Sequence, residues 1–567
     1  MPERAPAGEC DVLVIGSGAG GLTTAVTAAR TGLDVLVVEK AGYFGGTTAI
    51  SGGWLWIPNS RVAQRAGFED SRDEVLTYLH GELGQHTDDA RIAAFLDNGP
   101  VMVDFLEQQA GIPFIAGPFP DYHPGAPGAA AAGRALAALP MRGMALGELA
   151  ARLRPPIREQ TLLGMRIGGG AVELMHFFNA TRSIRSARYV LARMASYLLD
   201  VMRYGHDMRF VNGGALAARL AHAMTQAGAR LWLDAPAKEL ILDRGRVAGA
   251  VVQREGKNVR VLARRGVVLA SGGFPHDIAR RQRMYPHAPT ASGHFSVAPA
   301  ENTGDGARMA ESVGAKVVDS YDNAAAWYPV SLIPQRDGTS RVFPHSIDRA
   351  KPGIIAVTPD GKRFVNESDS YYDFTLAMLN TRKHGLPGTA FLACDHRAIR
   401  RYGIGTVKPF PFPIESFIRS GYLLRGNTVG ELADATGMPR AALEQTIARF
   451  NANAAQGNDP DLQRGSNAYH RIQGDPGHAP NPTLAPLDRE PYYAVKVLPG
   501  DLGTFAGICT DAAGCVLRED GSAIPGLFAT GNDMASIFGG YYPGAGITLG
   551  PAMTFGYIIG KKLCESS

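Results

Sequence analysis

Residues 10–40, CDVLVIGSGAGGLTTAVTAARTGLDVLVVEK, limit the fold more than any other stretch of the chain. An apolar run ends in a glycine turn, an alanine-rich segment of helical character follows, and a second apolar run ends in an acid. Gly16, Gly18 and Gly21 form a GxGxxG turn: the first permits the bend, the second lets backbone approach a pyrophosphate, and the third lets helix pack on strand. Glu39 follows about 20 residues on, where a carboxylate can accept both hydroxyls of a ribose. The pattern predicts a Rossmann-like α/β domain that binds a dinucleotide.

The next segment, AGYFGGTTAISGGWLWIPNS, decides which dinucleotide. Where a nicotinamide domain continues with another βαβ unit, this chain places small and hydroxyl residues: Gly45, Gly46, Thr47, Thr48, Ser51, Gly52 and Gly53. Such a loop suits a flavin, whose ribitol and ring lie along the chain. Trp54, Trp56 and Ile57 are too apolar for a free linker. Residues 211–274 add a helix, a strand, a hairpin around Asp243 to Arg246, and a buried strand that runs into Ser271, Gly272 and Gly273. No second GxGxxG follows, so electrons are expected to pass to an external acceptor rather than through a bound nicotinamide.

The wider composition excludes other classes. A net charge of +4 over 567 residues, with the basic residues scattered, carries no nucleic-acid or membrane-surface signature. The five cysteines form no CxxC and no metal-ligand spacing, which suits a reduced, cytoplasmic chain without a metal. MPERAPAGEC lacks a signal-peptide pattern, and no run of 18 apolar residues suggests a membrane span. The 69 glycines point to many tight turns and close approaches of backbone to ligand.

With both ends in view, the chain resembles the 3-ketosteroid Δ1-dehydrogenases and their fumarate-reductase-like relatives. The resemblance runs through VIGSGAGG, GGTTAISGG, ENTGDGARMA, GKRFVNES, PGDLGTFAGICTD and GLFATGNDMASIFGGYYPGAGITLGPAMTFGY. Fumarate-reductase-like members carry an arginine five residues after the asparagine of RFVNE and a histidine motif that grips carboxylates. Here Tyr371, followed by Tyr372, takes the place of the arginine, and AAAWYPV, with Trp327 and Tyr328, stands where the histidine would be. The replacements favour the ketone branch over a dicarboxylate substrate.

The resemblance implies an FAD site that comprises Gly16, Gly18, Ala19, Gly20, Gly21, Glu39, Lys40, Gly45, Gly46, Thr47, Thr48, Ser51, Gly52, Gly53, Ala237, Ser271, Gly272, Gly531, Asn532, Asp533, Ile547 and Leu549. It also implies Tyr371 as base, Tyr542 and Gly546 as holders of the ketone oxygen, and Tyr122 as an assistant to the base. Ser370 stands where the family often has proline, which leaves Tyr372 as an alternative base. The activity implied is hydrogen removal beside the carbonyl of an apolar cyclic ketone, a 3-ketosteroid or a smaller ring such as a cyclohexanone, with a quinone-like or protein electron acceptor. Reduction of an activated alkene, and flavin binding without catalysis, are the competing readings.

From the residues themselves, Gly550-Pro551 reads as a helix start whose dipole would favour negative charge on the flavin. Asp533 reads as a ribitol ligand or a structural cap, Tyr541 as a packed aromatic, and His123 as a loop residue. Trp54, Trp56, Phe114 and Trp327 read as core or pocket wall. No histidine or cysteine suggests a covalent link, so non-covalent FAD is expected. Residues 1–297 and 491–567 are expected to form the FAD-binding domain, with an α+β catalytic domain inserted over 298–490. Residues 145–210 are expected to be helices that cover the pocket or make a subunit contact.

Overall fold

The computed structural model describes residues 8–290 and 292–565. The start of the chain, residues 1–7, where no signal-peptide pattern was read, lies outside the described residues. β1 (Glu9–Ile15) and β2 (Val35–Val38) pair in parallel around the crossover helix α1 (Ala19–Arg30). From Val12 to Ile15, and throughout β2, both faces are buried, as strands of a helix-covered parallel sheet must be. β2 continues to Arg230–Trp232, while β1 pairs on its other side with β3 (Lys257–Leu269), and β3 with Ala523–Ala529, all in parallel. The hairpin of Ala237–Asp243 and Arg246–Arg254 adds to β3, and Cys515–Leu517 closes the other edge of this eight-stranded sheet.

A second, seven-stranded sheet is built on α2-bearing chain 295–504, where α2 is Tyr371–Asn380. Its spine is β4 (Tyr492–Thr504), which pairs antiparallel with Ala325–Pro334, Ala390–Asp395 and Leu424–Gly426, and parallel with Phe295–Ser296. The sequence suggests that PYYAVKVLPGDLG returns to the flavin texture. Instead β4 is bonded into the second sheet, and the first sheet resumes only at Cys515–Leu517. β4 is buried along nearly its whole length, so its apolar run cannot be told from a parallel flavin strand by pattern.

The terminal helix α3 (Leu549–Glu565) lies against α1 at backbone contact. A Cβ on Gly556 would stand 2.5 Å from the Gly20 carbonyl oxygen, and one on Gly560 would stand 2.6 Å from Thr27 Cβ. This close crossing brings the start of α3, and the turn before it, over the glycine loop at the head of α1. Helices Ala171–Phe178 and Ile184–Tyr204 lie over the cavity between the sheets and contribute Phe177, Phe178, Leu191 and Met194 to its wall. Among the described residues no helix is long and apolar enough to cross a membrane.

Candidate active site

One cavity of about 1410 Å³ runs from the glycine loops of the first sheet, past a group of tyrosines, to a basic wing beneath the helical cover. At the glycine end, Gly16 has φ +111° and its Cβ would stand 2.1 Å from the Ala270 carbonyl oxygen, so only glycine fits. Gly18, Gly46 and Gly531 line the cavity, and a Cβ on any of them would meet nothing nearer than 3.8 Å. Gly18 also heads α1 without a side-chain cap, which suits a phosphate at the helix start. Arg154 adds a cation to this wall, with its Nε buried and unbonded among the described residues.

The polar side chains here are organised around Glu39. Its Oε2 accepts from Ser17 N (3.1 Å) and Ser17 Oγ, and its Oε1 accepts from Ala41 N (3.0 Å). Thr48 Oγ1 accepts from Ala19 N at 3.0 Å, and Asn302 Nδ2 donates to the Gly272 carbonyl and to Thr47 Oγ1. Lys40 lines the wall but directs its ammonium to Asp305, Thr303 and the Glu301 carbonyl. Gly20, Ser51, Gly52, Gly53, Ala237, Ser271, Gly272, Asn532 and Leu549 also line the cavity. The open glycine cradle and uncapped helix start together fit FAD, with Arg154, half-buried and paired with Glu301 at 3.1 Å, beside them.

Four of the expected residues do not face this space. Gly21 packs on Gly16, and Gly45 is a left-handed turn residue whose N–H donates to Ser17 Oγ at 3.0 Å. Ile547 is buried in the core. Asp533 is a correction to the ribitol reading: its Oδ1 accepts from Gly273 N (2.9 Å) and Ser271 Oγ (3.0 Å), and Oδ2 accepts from Ser271 N. It fixes the turn after β3 and presents no atom to the cavity wall.

The tyrosines meet where the two sheets face each other. Tyr371 is the first residue of α2, whose start is capped by Ser370: Ser370 Oγ accepts from Asp373 N at 3.1 Å and donates to Asp373 Oδ2 at 2.6 Å. The serine found in place of proline thus sets the helix that carries Tyr371. Tyr371 Oη donates to Tyr542 Oη at 2.6 Å. Tyr122 stacks on Tyr542 (5.5 Å between centroids, 11° between planes) and meets Tyr371 edge-on, while Tyr328 stands 4.3 Å from Tyr371. Tyr372 does not line the cavity; it is buried and donates to the Gly540 carbonyl.

Burial pushes the Tyr371 hydroxyl well above its usual pKa, and the neighbouring Tyr122 and Tyr542 oxygens add to the effect. Burial raises Tyr122 and Tyr542 as well, and takes Tyr328 to about 12. Gly546 lines the same space, has φ +99°, and lies so close to Trp54 that a Cβ would stand 2.5 Å from its carbonyl. His123 is more than a loop residue: its ring bonds Asp373 of α2 (3.2 Å) and Glu82 (2.7 Å), which lift its pKa to about 10 and tie the Tyr122 loop to α2.

Comparison with known proteins accords with this geometry. Residues 11–549 match the FAD binding domain family. The 4-oxocyclohex-2-ene-1-carboxylate 5-dehydrogenase of Sinomonas cyclohexanicum is 41% identical, over 98% of this chain and 94% of that one. The 3-oxosteroid 1-dehydrogenase of Mycobacterium tuberculosis is 37% identical over 99% of both chains. The chain belongs to the 3-ketosteroid Δ1-dehydrogenase family of FAD-binding flavoproteins. The crystal structure of the 3-ketosteroid delta1-dehydrogenase from Sterolibacterium denitrificans in complex with 1,4-androstadiene-3,17-dione superposes with a TM-score of 0.90 at 35% identity, covering 99% of this chain and 100% of that one. As a member of this family the chain is an FAD-dependent oxidoreductase.

Several wall residues of this family member had no signal of their own in the sequence. Tyr469, from the short helix Ala468–Gln473, stands 5.0 Å from Tyr122, and Ser346 bonds the Tyr328 hydroxyl. Both lie far from any glycine motif. Trp54 is pocket wall, whereas Trp56, Phe114 and Trp327 are core. Tyr541 is not packed inside; it is 39% exposed beside His86.

Proposed function

We propose that the chain removes hydrogen from adjacent carbons of a cyclic ketone and leaves a double bond conjugated with the carbonyl. The observation that carries this reading is the Tyr371–Tyr542 hydroxyl pair, 2.6 Å apart, on a cavity shared with the glycine cradle. A ketone oxygen and its α-carbon are two bonds apart, so hydroxyls at this spacing can address both. Tyr542 donates to the ketone oxygen and Tyr371 takes the α-proton. Gly546 lines the same cavity, and its amide N–H is the second donor to the developing enolate.

Tyr122, packed on both rings, assists the base, and Tyr328 and Tyr469 complete an aromatic wall that excludes water. FAD, when bound, supplies the acceptor for the hydride that leaves the β-carbon. It is held without a covalent link, since neither cysteine nor histidine lines the glycine end among the described residues. An external quinone-like or protein acceptor takes the electrons onward. The steroid and the single-ring ketone share this chemistry. The arginine and histidine that a dicarboxylate needs are replaced here by Tyr371 and an aromatic strand, which disfavours fumarate-type reduction.

The test is deuterium exchange at the α-carbon of 4-oxocyclohexanecarboxylate, read by NMR in heavy water. The FAD-loaded protein should catalyse exchange, and Tyr371→Phe should abolish it while FAD stays bound. Undiminished exchange in Tyr371→Phe would remove this residue from the role of base.

A further inference from the structure

Past the tyrosines, residues 344–351 follow the cavity wall from Ser346, which bonds Tyr328, to Lys351. Lys351 is buried, and its Nζ donates to the Gln473 and Gly474 carbonyls at 2.8 and 2.6 Å. Its ammonium lies 5.6 Å from the centre of the Phe178 ring, and among the described residues no carboxylate forms an ion pair with it. Arg401 lines the same wing. Its Nη2 bonds Asp475 (3.1 Å) and Asn179 (3.2 Å), whereas its Nη1 is buried with no hydrogen-bond partner among the described residues.

Among the described residues, the acids nearby pair with Arg401 through Nη2 alone and form no ion pair with Lys351. Asp475 serves Arg401 and also accepts from Tyr402 Oη at 2.8 Å and Gly477 N at 2.9 Å. Asp348 is occupied by His345 Nδ1 (2.6 Å) and Gly405 N (2.9 Å). A buried cation without a counter-ion is costly. Burial draws the Lys351 pKa down to about 8, against the opposing pull of Asp475 and Asp348, so the ammonium remains the main form at neutral pH. None of these partners belongs to the glycine loops that would hold the FAD phosphates.

We infer that the cavity ends in a carboxylate-binding subsite, formed by Lys351 Nζ and Arg401 Nη1, that selects ring ketones bearing an anionic group remote from the carbonyl. The inference rests on the proposed function in placing the ketone at Tyr371 and Tyr542. A keto acid of this kind satisfies both ends of the cavity. A neutral polycyclic ketone leaves the buried Lys351 without an anion and Arg401 Nη1 without a hydrogen-bond partner.

The direct test uses ligands that lack the ketone. Cyclohexanecarboxylate and cyclohexanecarboxamide are titrated into the FAD-loaded protein by calorimetry. The acid should bind roughly 10- to 100-fold more tightly than the amide, the factor expected of charge-assisted hydrogen bonds. Lys351→Met and Arg401→Met should each erase most of this preference with FAD content unchanged. Equal affinities in the unaltered protein would overturn the inference, as would a preference that survives both substitutions. Should Lys351→Met fail to fold through loss of its two carbonyl contacts, Arg401→Met and the acid-to-amide ratio of the unaltered protein decide the matter.

Turnover separates this inference from the proposed function. Selective acid binding without desaturation of 4-oxocyclohexanecarboxylate would refute the proposed function alone. Desaturation of its methyl ester with a kcat/KM equal to that of the acid would refute the subsite alone.

Discussion

Tyr371 and Tyr542 face opposite demands, since one must accept a proton and the other must donate a hydrogen bond from 2.6 Å away. Loss of the base in Tyr371→Phe should lower kcat by about 10²- to 10⁴-fold, and Tyr542→Phe should lower it by about 10²- to 10³-fold. Steady-state kinetics with FAD content held equal checks both. Tyr372→Phe should leave kcat nearly unchanged, because that hydroxyl is committed to the Gly540 carbonyl outside the cavity. Burial raises the Tyr371 pKa, so the phenolate is scarce at neutral pH. The kcat/KM should therefore climb as pH rises from 7 toward about 10, and a flat profile would count against a tyrosine base. The sequence brings both tyrosines into view through YPGAG and NESDSYY, yet it cannot choose between Tyr371 and Tyr372. Adjacent residues on a helix point about 100° apart, and only the packing of α2 shows which one meets the cavity. Asp533 misleads for a related reason: an acid after a strand and a glycine suits a ribitol ligand and a turn clamp equally well.

At the scale of elements, the crossing of α1 and α3 positions the flavin cradle and the catalytic turn relative to each other. Gly560→Val should force a side chain into Thr27 and cost about 1–3 kcal/mol, seen as a lower Tm and weaker FAD retention. The second sheet is tied to its neighbouring loop by a buried acid. Glu367 accepts from Ala356 N and pairs with Arg363 and Arg464, while Arg363 also binds Asp459. Burial alone would raise the Glu367 pKa, but the two guanidiniums overcome it and hold the group at about 2, below its ordinary 4.5. A depressed carboxyl pKa stabilises the fold above 4.5, and that contribution fades as pH falls from 4.5 to about 2. Glu367→Gln should therefore cost about 3–5 kcal/mol near neutral pH, and the gap to the unaltered protein should narrow in acid, as read by denaturant titration. Gly550-Pro551 at the start of α3 and the NES motif mark these elements in the sequence. The partners do not show there, because Thr27 and Arg464 are brought in from distant segments.

For the whole molecule, the glycine turn at Gly16 announces the first sheet, since few folds place two buried strands and a helix around such a turn. The second sheet is less legible: β4 has an unbroken apolar run that fits either sheet, and only its hydrogen-bonding partners assign it. The basic wing is not legible, because Lys351 and Arg401, the latter from the helix His396–Tyr402, come from separate segments, and the unpaired state of Lys351 and of Arg401 Nη1 among the described residues is a property of the packed structure. In the proposed reaction a ketone delivers hydrogen to this protein. Anaerobic mixing of the FAD-loaded chain with 4-oxocyclohexanecarboxylate and, separately, with androst-4-ene-3,17-dione, followed at the visible flavin maximum, reads that transfer. Bleaching by the keto acid, with formation of the conjugated enone in equal amount, is the expected result. If neither ketone bleaches the flavin while an enone restores the colour of chemically reduced protein, the reaction runs the other way and a ketone is not the hydrogen donor.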